Sequence, residues 1–139
     1  MATMVHLTRT EVAELPVSEI TITGKTVQAG VTVDDARRAF ASSAVQVVPV
    51  LEGARYLGAV DRGTIEAADG GAALSSVAQA LVPQVLEGER AGDALAALDA
   101  HGATRLVVVG EDGRYVGIVC LRGDRERLCI DAARLRVLA

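Results

Sequence analysis

Arg55-Tyr56-Leu57-Gly58-Ala59-Val60 returns 59 residues later as Arg114-Tyr115-Val116-Gly117-Ile118-Val119. Tyr56 and Tyr115 are the only two tyrosines in the chain. The match runs backwards: Val47-Val48-Pro49-Val50 lies under Leu106-Val107-Val108-Val109. Further back, Ala36, Ala39 and Phe40 lie over Ala94, Ala97 and Leu98 at an offset of 58. That one-residue slip predicts a loop insertion between helix and strand. A repeat of this period means one structural unit used twice, each half burying what the other cannot.

The 139 residues suffice for one compact domain, or two small halves sharing a core. Half the chain is hydrophobic, which excludes disorder. No apolar run approaches the ~20 residues that span a bilayer. Met1 to Thr10 has no apolar signal-peptide region, so a cytoplasmic protein without membrane attachment is expected. Net charge is −4 with 2% aromatics, which lacks both the basic footprint and the stacking platforms of a nucleic-acid binder. Arg122, Arg125, Arg127, Arg134 and Arg136 read as a solvated face interleaved with Asp124, Glu126 and Asp131.

The local pattern gives an α/β (α+β) order. Leu15 to Ile20 is a helical turn at most, and Lys25 to Ala29 is extended. Thr32 with Asp35 three residues on is a capping-box start, and Ala36, Ala39 and Phe40 form one apolar face. Val45 to Leu51 and Arg55 to Val60 are antiparallel strands around a turn, followed by a helix at Thr64 to Ala68. In the second half, Leu74 to Ala80 reads as a short helix capped by Ser75 or Ser76, and Val82 to Leu86 is extended. Ala91, Ala94, Leu95 and Leu98 share one face of a helix that Gly102 ends. Leu106 to Val109 and Tyr115 to Leu121 flank Asp112-Gly113, a hairpin signal. After Leu121 the chain reads as a turn and another strand rather than a helix, then a final helix over Asp131 to Ala139.

Strand, helix, strand, hairpin, strand, helix, used twice, resembles a tandem CBS-domain pair. The resemblance rests on Val47-Val48-Pro49-Val50, and on the hairpins leading into Gly58-Ala59-Val60 and Gly117-Ile118-Val119. It implies two βαββα repeats packed with pseudo-twofold symmetry, at 15–70 and 77–130. Residues 1–14 would be an N-terminal extension, 71–76 a linker and 131–139 a tail. It further implies a non-enzymatic, stand-alone regulatory module that dimerises with itself and acts on a separate regulated protein. Small residues on helix faces (Ala36, Ala39, Ala94, Ala97) suit a homodimer. Clefts between the repeats would bind a small molecule, and adenosine nucleotides are the family's usual ligands. The implied cleft residues are Val48, Pro49, Asp61, Arg62, Thr64, Val107, Val108, Cys120 and Arg122.

The family's nucleotide signature is Gly-hydrophobic-x-Thr/Ser-x-x-Asp, whose hydroxyl meets phosphate and whose carboxylate takes the ribose hydroxyls. The first repeat puts Asp61 at the hydroxyl position and Thr64 at the carboxylate position. The second puts Cys120 and Gly123 there. Asp61 would repel a phosphate by about 4 kcal/mol at ~4 Å with an effective dielectric of ~20. The resemblance thus predicts weak or no binding of AMP and ATP, with the two glycines serving packing. The alternative is a structural or protein-interaction module whose clefts hold no ligand.

Other features carry less. Cys120 and Cys129 face each other if a hairpin centres on Asp124-Arg125, and they read as buried, reduced small hydrophobes. Two thiols without a His cluster do not make a zinc site. His6 and His101 are isolated, and His101 suits a helix C-terminus. Arg122-Gly123-Asp124 is a chance tripeptide in a cytoplasmic chain. No nucleophile with a base at readable spacing appears, and no phosphate-cradling glycine loop.

Overall fold

The computed structural model describes residues 3–135. Along the chain lie β1 (Met4–Thr8), α1 (Arg9–Val12), β2 (Val27–Gln28), α2 (Val33–Ala36), β3 (Val47–Glu52), β4 (Arg55–Asp61) and α3 (Arg62–Ala67). Then follow β5 (Gln84–Leu86), α4 (Ala91–His101), β6 (Arg105–Val109), β7 (Tyr115–Leu121) and β8 (Arg127–Asp131). The described chain divides into two compact units, one of residues 24–81 and one of the residues before Gly24 with those after Leu81.

In the unit of residues 24–81, Thr32 caps α2. Its side chain accepts the Asp35 N–H at 3.2 Å while the Asp35 carboxylate accepts the Thr32 N–H at 3.4 Å. That is the capping box the sequence predicts. The helix tightens into a 3-10 turn over Arg37–Phe40. β2 runs parallel to β3, and β3 antiparallel to β4. Val33, Ala36, Phe40, Val48, Val50, Val60, Ile65 and Leu74 close the core.

The other unit has the corresponding order: β5 parallel to β6, β6 antiparallel to β7. Its helix α4 buries Ala91, Ala94, Leu95 and Leu98, and Gly102 ends it in the left-handed region at φ 61°. Where the first unit has α3, this one has the turn and strand that the sequence indicated. β8 extends the sheet and β1 closes its edge, in the order β1-β8-β7-β6-β5. Val12, Val17 and Ile20 from the N-terminal segment join Leu98, Leu106, Val108, Val119, Leu121, Leu128 and Ile130 in one core.

The structure corrects the sequence reading in three places. The one-residue slip lies in the second hairpin, not before the strand. Leu51 pairs with Tyr56 but Val109 pairs with Tyr115, and the register shift falls after Val50 and after Val108. The strands are therefore aligned Val50 with Val108. Leu74 to Ala80 is not a helix beyond a 3-10 turn at Leu74–Ser76, and no serine caps it. Gln79 instead exchanges both backbone hydrogen bonds with Ala59, at 2.8 and 2.9 Å, which holds the chain extended. Of the helix expected over Asp131 to Ala139, Asp131 ends β8, Ala132–Arg134 is a 3-10 turn, Leu135 is extended, and residues 136–139, with Arg136, lie outside the described residues.

Candidate functional site

In the first unit, β3 and β4 bring Val47 opposite Asp61 and Pro49 opposite Ala59. Asp61 ends β4 and caps α3. Its carboxylate accepts the Thr64 N–H at 2.8 Å, and the Thr64 hydroxyl adds a second hydrogen bond. The Thr64 bonds hold the Asp61 carboxyl below the usual carboxylate range, against a small opposing effect of burial. Asp61 is thus an anion already occupied by the helix start.

Arg62 is equally committed. Its guanidinium donates to the carbonyls of Phe40 at 3.0 Å, Ser42 at 2.9 Å and Val45 at 3.0 Å. It also lies over the Phe40 ring, 5.5 Å from the centroid. These bonds satisfy carbonyls that the end of the 3-10 turn leaves open. The resemblance placed Arg62 in a cleft beside Asp61. The structure turns it towards the turn and the loop after it.

In the second unit, Cys120 lies between Arg105 on β6 and Cys129 on β8. Burial pushes the Cys120 thiol up, with Arg105 opposing. Arg105 donates to the Thr104 and Leu121 carbonyls at 3.1 and 3.2 Å. Arg122 is exposed and donates to the His6 ring at 2.9 Å. Gly123 lies in the turn that follows.

The aliphatic members are buried. Val48 and Val108 sit in the cores of their respective units, and Pro49 and Val107 have no open face either. Asp61 and Thr64 meet directly, as do Cys120 and Cys129. Arg62 and Arg122 point their charges to other partners.

The two motif glycines have a packing reason. A Cβ on Gly58 would lie 3.1 Å from the Gln79 carbonyl oxygen. A Cβ on Gly117 would lie 2.8 Å from the Ile22 carbonyl oxygen and 2.9 Å from Thr21 Cβ. Each glycine lets an extended segment cross β4 or β7 at backbone contact.

Two surface hollows in the second unit contain none of the cleft residues that the resemblance implies. One, of about 610 Å³, is lined by Leu86, Glu87, Glu89, Glu111, Asp112 and Arg114. The other, of about 360 Å³, is lined by Ser18, Glu19, Arg114, Tyr115, Val116 and Arg134 among others. Both draw on segments far apart in sequence, and the repeated Arg114-Tyr115-Val116 supplies only part of their lining. Among the described residues, no group of His, Cys, Asp or Glu is placed to hold a metal ion.

Residues 81–122 match the model of the CBS domain family. The fold is that of CBS pairs, as three solved structures show. One is the cystathionine beta-synthase pair domain of a proposed Mg2+ transporter from Shewanella oneidensis MR-1, with TM-score 0.66 and 23% identity. The match covers 73% of this chain and 63% of that one, so this chain spans less than two thirds of it. A second is the CBS domains of a transcriptional regulator from Streptococcus pneumoniae, with TM-score 0.69, 14% identity, and 76% and 92% of the two chains covered. A third is the CBS domain of a bacterial CNNM/CorC family Mg2+ transporter in complex with ATP, with TM-score 0.66, 21% identity, and 81% and 85% covered. No curated protein matches the sequence. The CBS family match thus rests on residues 81–122, and the fold of the chain is α+β, that of CBS pairs.

Proposed function

We propose that this chain is a non-enzymatic regulatory module of the cytoplasm that senses a small molecule and passes the signal to a partner protein. The support is the fold it shares with domains named as parts of a transcriptional regulator and of transporters, one of them holding ATP. Among the described residues, no helix is long and apolar enough to cross a membrane. The ligand is an adenosine derivative, uncharged or cationic where Asp61 meets it, and the module works as a homodimer.

The observation that carries the ligand chemistry is the double commitment of Asp61 and Arg62. The carboxylate is fixed at a helix start and the guanidinium is spent on three carbonyls. Neither is free to take a phosphate. The same observation favours a second reading, an interaction module whose clefts hold no ligand.

A thermal-shift panel separates the two. Sensing predicts that adenosine or a cationic adenosine derivative raises Tm while AMP and ATP do not. A panel that leaves Tm unmoved throughout favours the second reading. A shift with AMP or ATP alone contradicts the proposed ligand chemistry.

A further inference from the structure

Across the larger sheet, Arg105, Cys120, Cys129 and His6 form one row, each the register partner of the next on β6, β7, β8 and β1. Direct cross-strand partners share a face of the sheet. The alternating residues Val119, Leu121, Leu128 and Ile130 occupy the core face, so the row lies on the other. Both thiols are free; Cys120 is buried and Cys129 half-buried. Arg122 Nη1 stands 4.0 Å from Cys129 Sγ.

The Cα spacing is within reach of a disulfide. Two residues along, the Arg122 N–H donates to the Arg127 carbonyl at 2.8 Å. Antiparallel pairs alternate, so Cys120 and Cys129 are also a hydrogen-bonded pair, with Cα atoms about 5.5 Å apart. A disulfide spans about 4.4–6.8 Å between Cα atoms but holds its Cβ atoms about 3.5–4.5 Å apart, closer than a hydrogen-bonded pair sets them, so this bond carries strain that makes it readily reduced.

The position gives the bond a consequence. β8 is joined to β7 by only two register pairs, Cys120 with Cys129 and Leu121 with Leu128. Towards the start of β7, Ile22 takes β8's place and exchanges both backbone hydrogen bonds with Ile118, at 2.8 and 2.9 Å. The Asp131 N–H donates to the Thr21 carbonyl on the other side of that wedge, at 3.4 Å. The thiols therefore sit at the fork where the sheet splits. β1 pairs with β8 alone, so the β8–β1 ribbon joins the sheet through those two register pairs.

We propose that Cys120 and Cys129 are a reversible dithiol–disulfide site, oxidised by a hydroperoxide, that staples the β8–β1 ribbon to β7. Cys129 is the more accessible thiol and reacts first. Its sulfur attacks the peroxide oxygen, the O–O bond breaks, and the products are a sulfenic acid and an alcohol or water. The Cys120 sulfur then attacks the sulfenic sulfur, the S–O bond breaks, and the hydroxyl leaves as water with the Cys120 proton. The thiols give up two electrons and the peroxide accepts them.

The test uses the full chain and hydrogen peroxide, followed by intact mass, thiol counting after denaturation, and amide hydrogen exchange. The expected result is loss of both thiols together in a single chain lighter by two hydrogens. Dithiothreitol reverses it, and exchange slows at residues 4–8 and 127–131. In Cys120→Ser, a 1,3-dione traps sulfenic acid on Cys129; in Cys129→Ser, Cys120 stays unmodified. The proposal is overturned if both thiols survive peroxide that oxidises a simple cysteine peptide. It is overturned equally if the thiols link separate chains or if Cys129 goes on to sulfinic acid with Cys120 intact. Should either variant fail to fold by circular dichroism, the result on the unmodified chain decides alone.

Discussion

Replacing Gly117 by alanine tests whether the motif glycines are there for backbone contact. The added Cβ would meet Arg134 Nη1 at 2.6 Å, the Ile22 carbonyl oxygen at 2.8 Å and Thr21 Cβ at 2.9 Å. The guanidinium could swing away, but it donates to Thr21 Oγ1 at 2.7 Å, the Val116 carbonyl at 2.9 Å and Thr23 Oγ1 at 2.6 Å. The Ile22 carbonyl accepts the Ile118 N–H at 2.9 Å and cannot retreat without breaking that bond. Overpacking costs about 1–3 kcal/mol, and a lost hydrogen bond adds about 1 kcal/mol. Gly→Ala returns about 0.4–1 kcal/mol through the unfolded chain. The net is a loss of about 1–3 kcal/mol, or roughly 3–10 °C in Tm for a chain of this size. Gly58→Ala is the internal control. Its nearest contacts are the Gln79 carbonyl oxygen at 3.1 Å and amide nitrogen at 3.2 Å, so a shift of a few tenths of an ångström relieves it. The expected loss there is below about 1 kcal/mol. Differential scanning calorimetry on both variants reads the ranking. Gly117→Ala melting within about 1 °C of the parent, or below Gly58→Ala in cost, refutes the reasoning.

Asp61→Ala removes the α3 cap and should cost about 1 kcal/mol in urea unfolding, whereas Asp61→Thr keeps a capping oxygen and should cost less. Val107→Ala should cost about 1–3 kcal/mol by the same assay, through the methyl groups lost from a buried position. Asp99 is held at about 2, below its ordinary 3.8, chiefly by hydrogen bonds from Arg9 and Arg125. Its folded-state pKa is depressed, so the stabilisation it supplies is complete above the unfolded value and disappears as pH falls through about 2. Asp99→Asn should flatten that part of the acid unfolding profile. Light scattering at high micromolar concentration should show a homodimer; a monomer there contradicts the proposed assembly.

The hairpin framework was legible because tyrosine is rare in this chain and because the Gly-hydrophobic-Val strands repeat. Gly102 and the Thr32–Asp35 box announced helix boundaries through local chemistry, and the structure keeps both. The failures share a different cause. Leu74 to Ala80 has helical composition, but the pairing of Gln79 with Ala59 is a contact between distant residues that propensity does not encode. The slip was assigned to the wrong loop because Val47–Val50 and Leu106–Val109 match almost equally well one residue apart. Only the cross-strand partners Leu51 with Tyr56 and Val109 with Tyr115 fix the register. At the candidate site, sequence identified Asp61 as an anion but not its occupation by Thr64, and gave no direction for Arg62. Side-chain direction depends on which carbonyls lie open nearby, and Phe40, Ser42 and Val45 supply three.

The most direct test of the functional account is calorimetric titration of AMP into the unmodified chain and into the Asp61→Thr, Thr64→Asp double variant. The double change restores a hydroxyl and a carboxylate at the signature positions, and the introduced threonine hydroxyl can still cap α3. A charge-assisted ribose contact is worth roughly 1.5–3 kcal/mol, so affinity should rise about ten- to a hundredfold from a parent that binds weakly or not at all. Micromolar binding of AMP by the unmodified chain, or no gain in the double variant, contradicts the assignment of Asp61 and Thr64 as the reason for weak nucleotide binding.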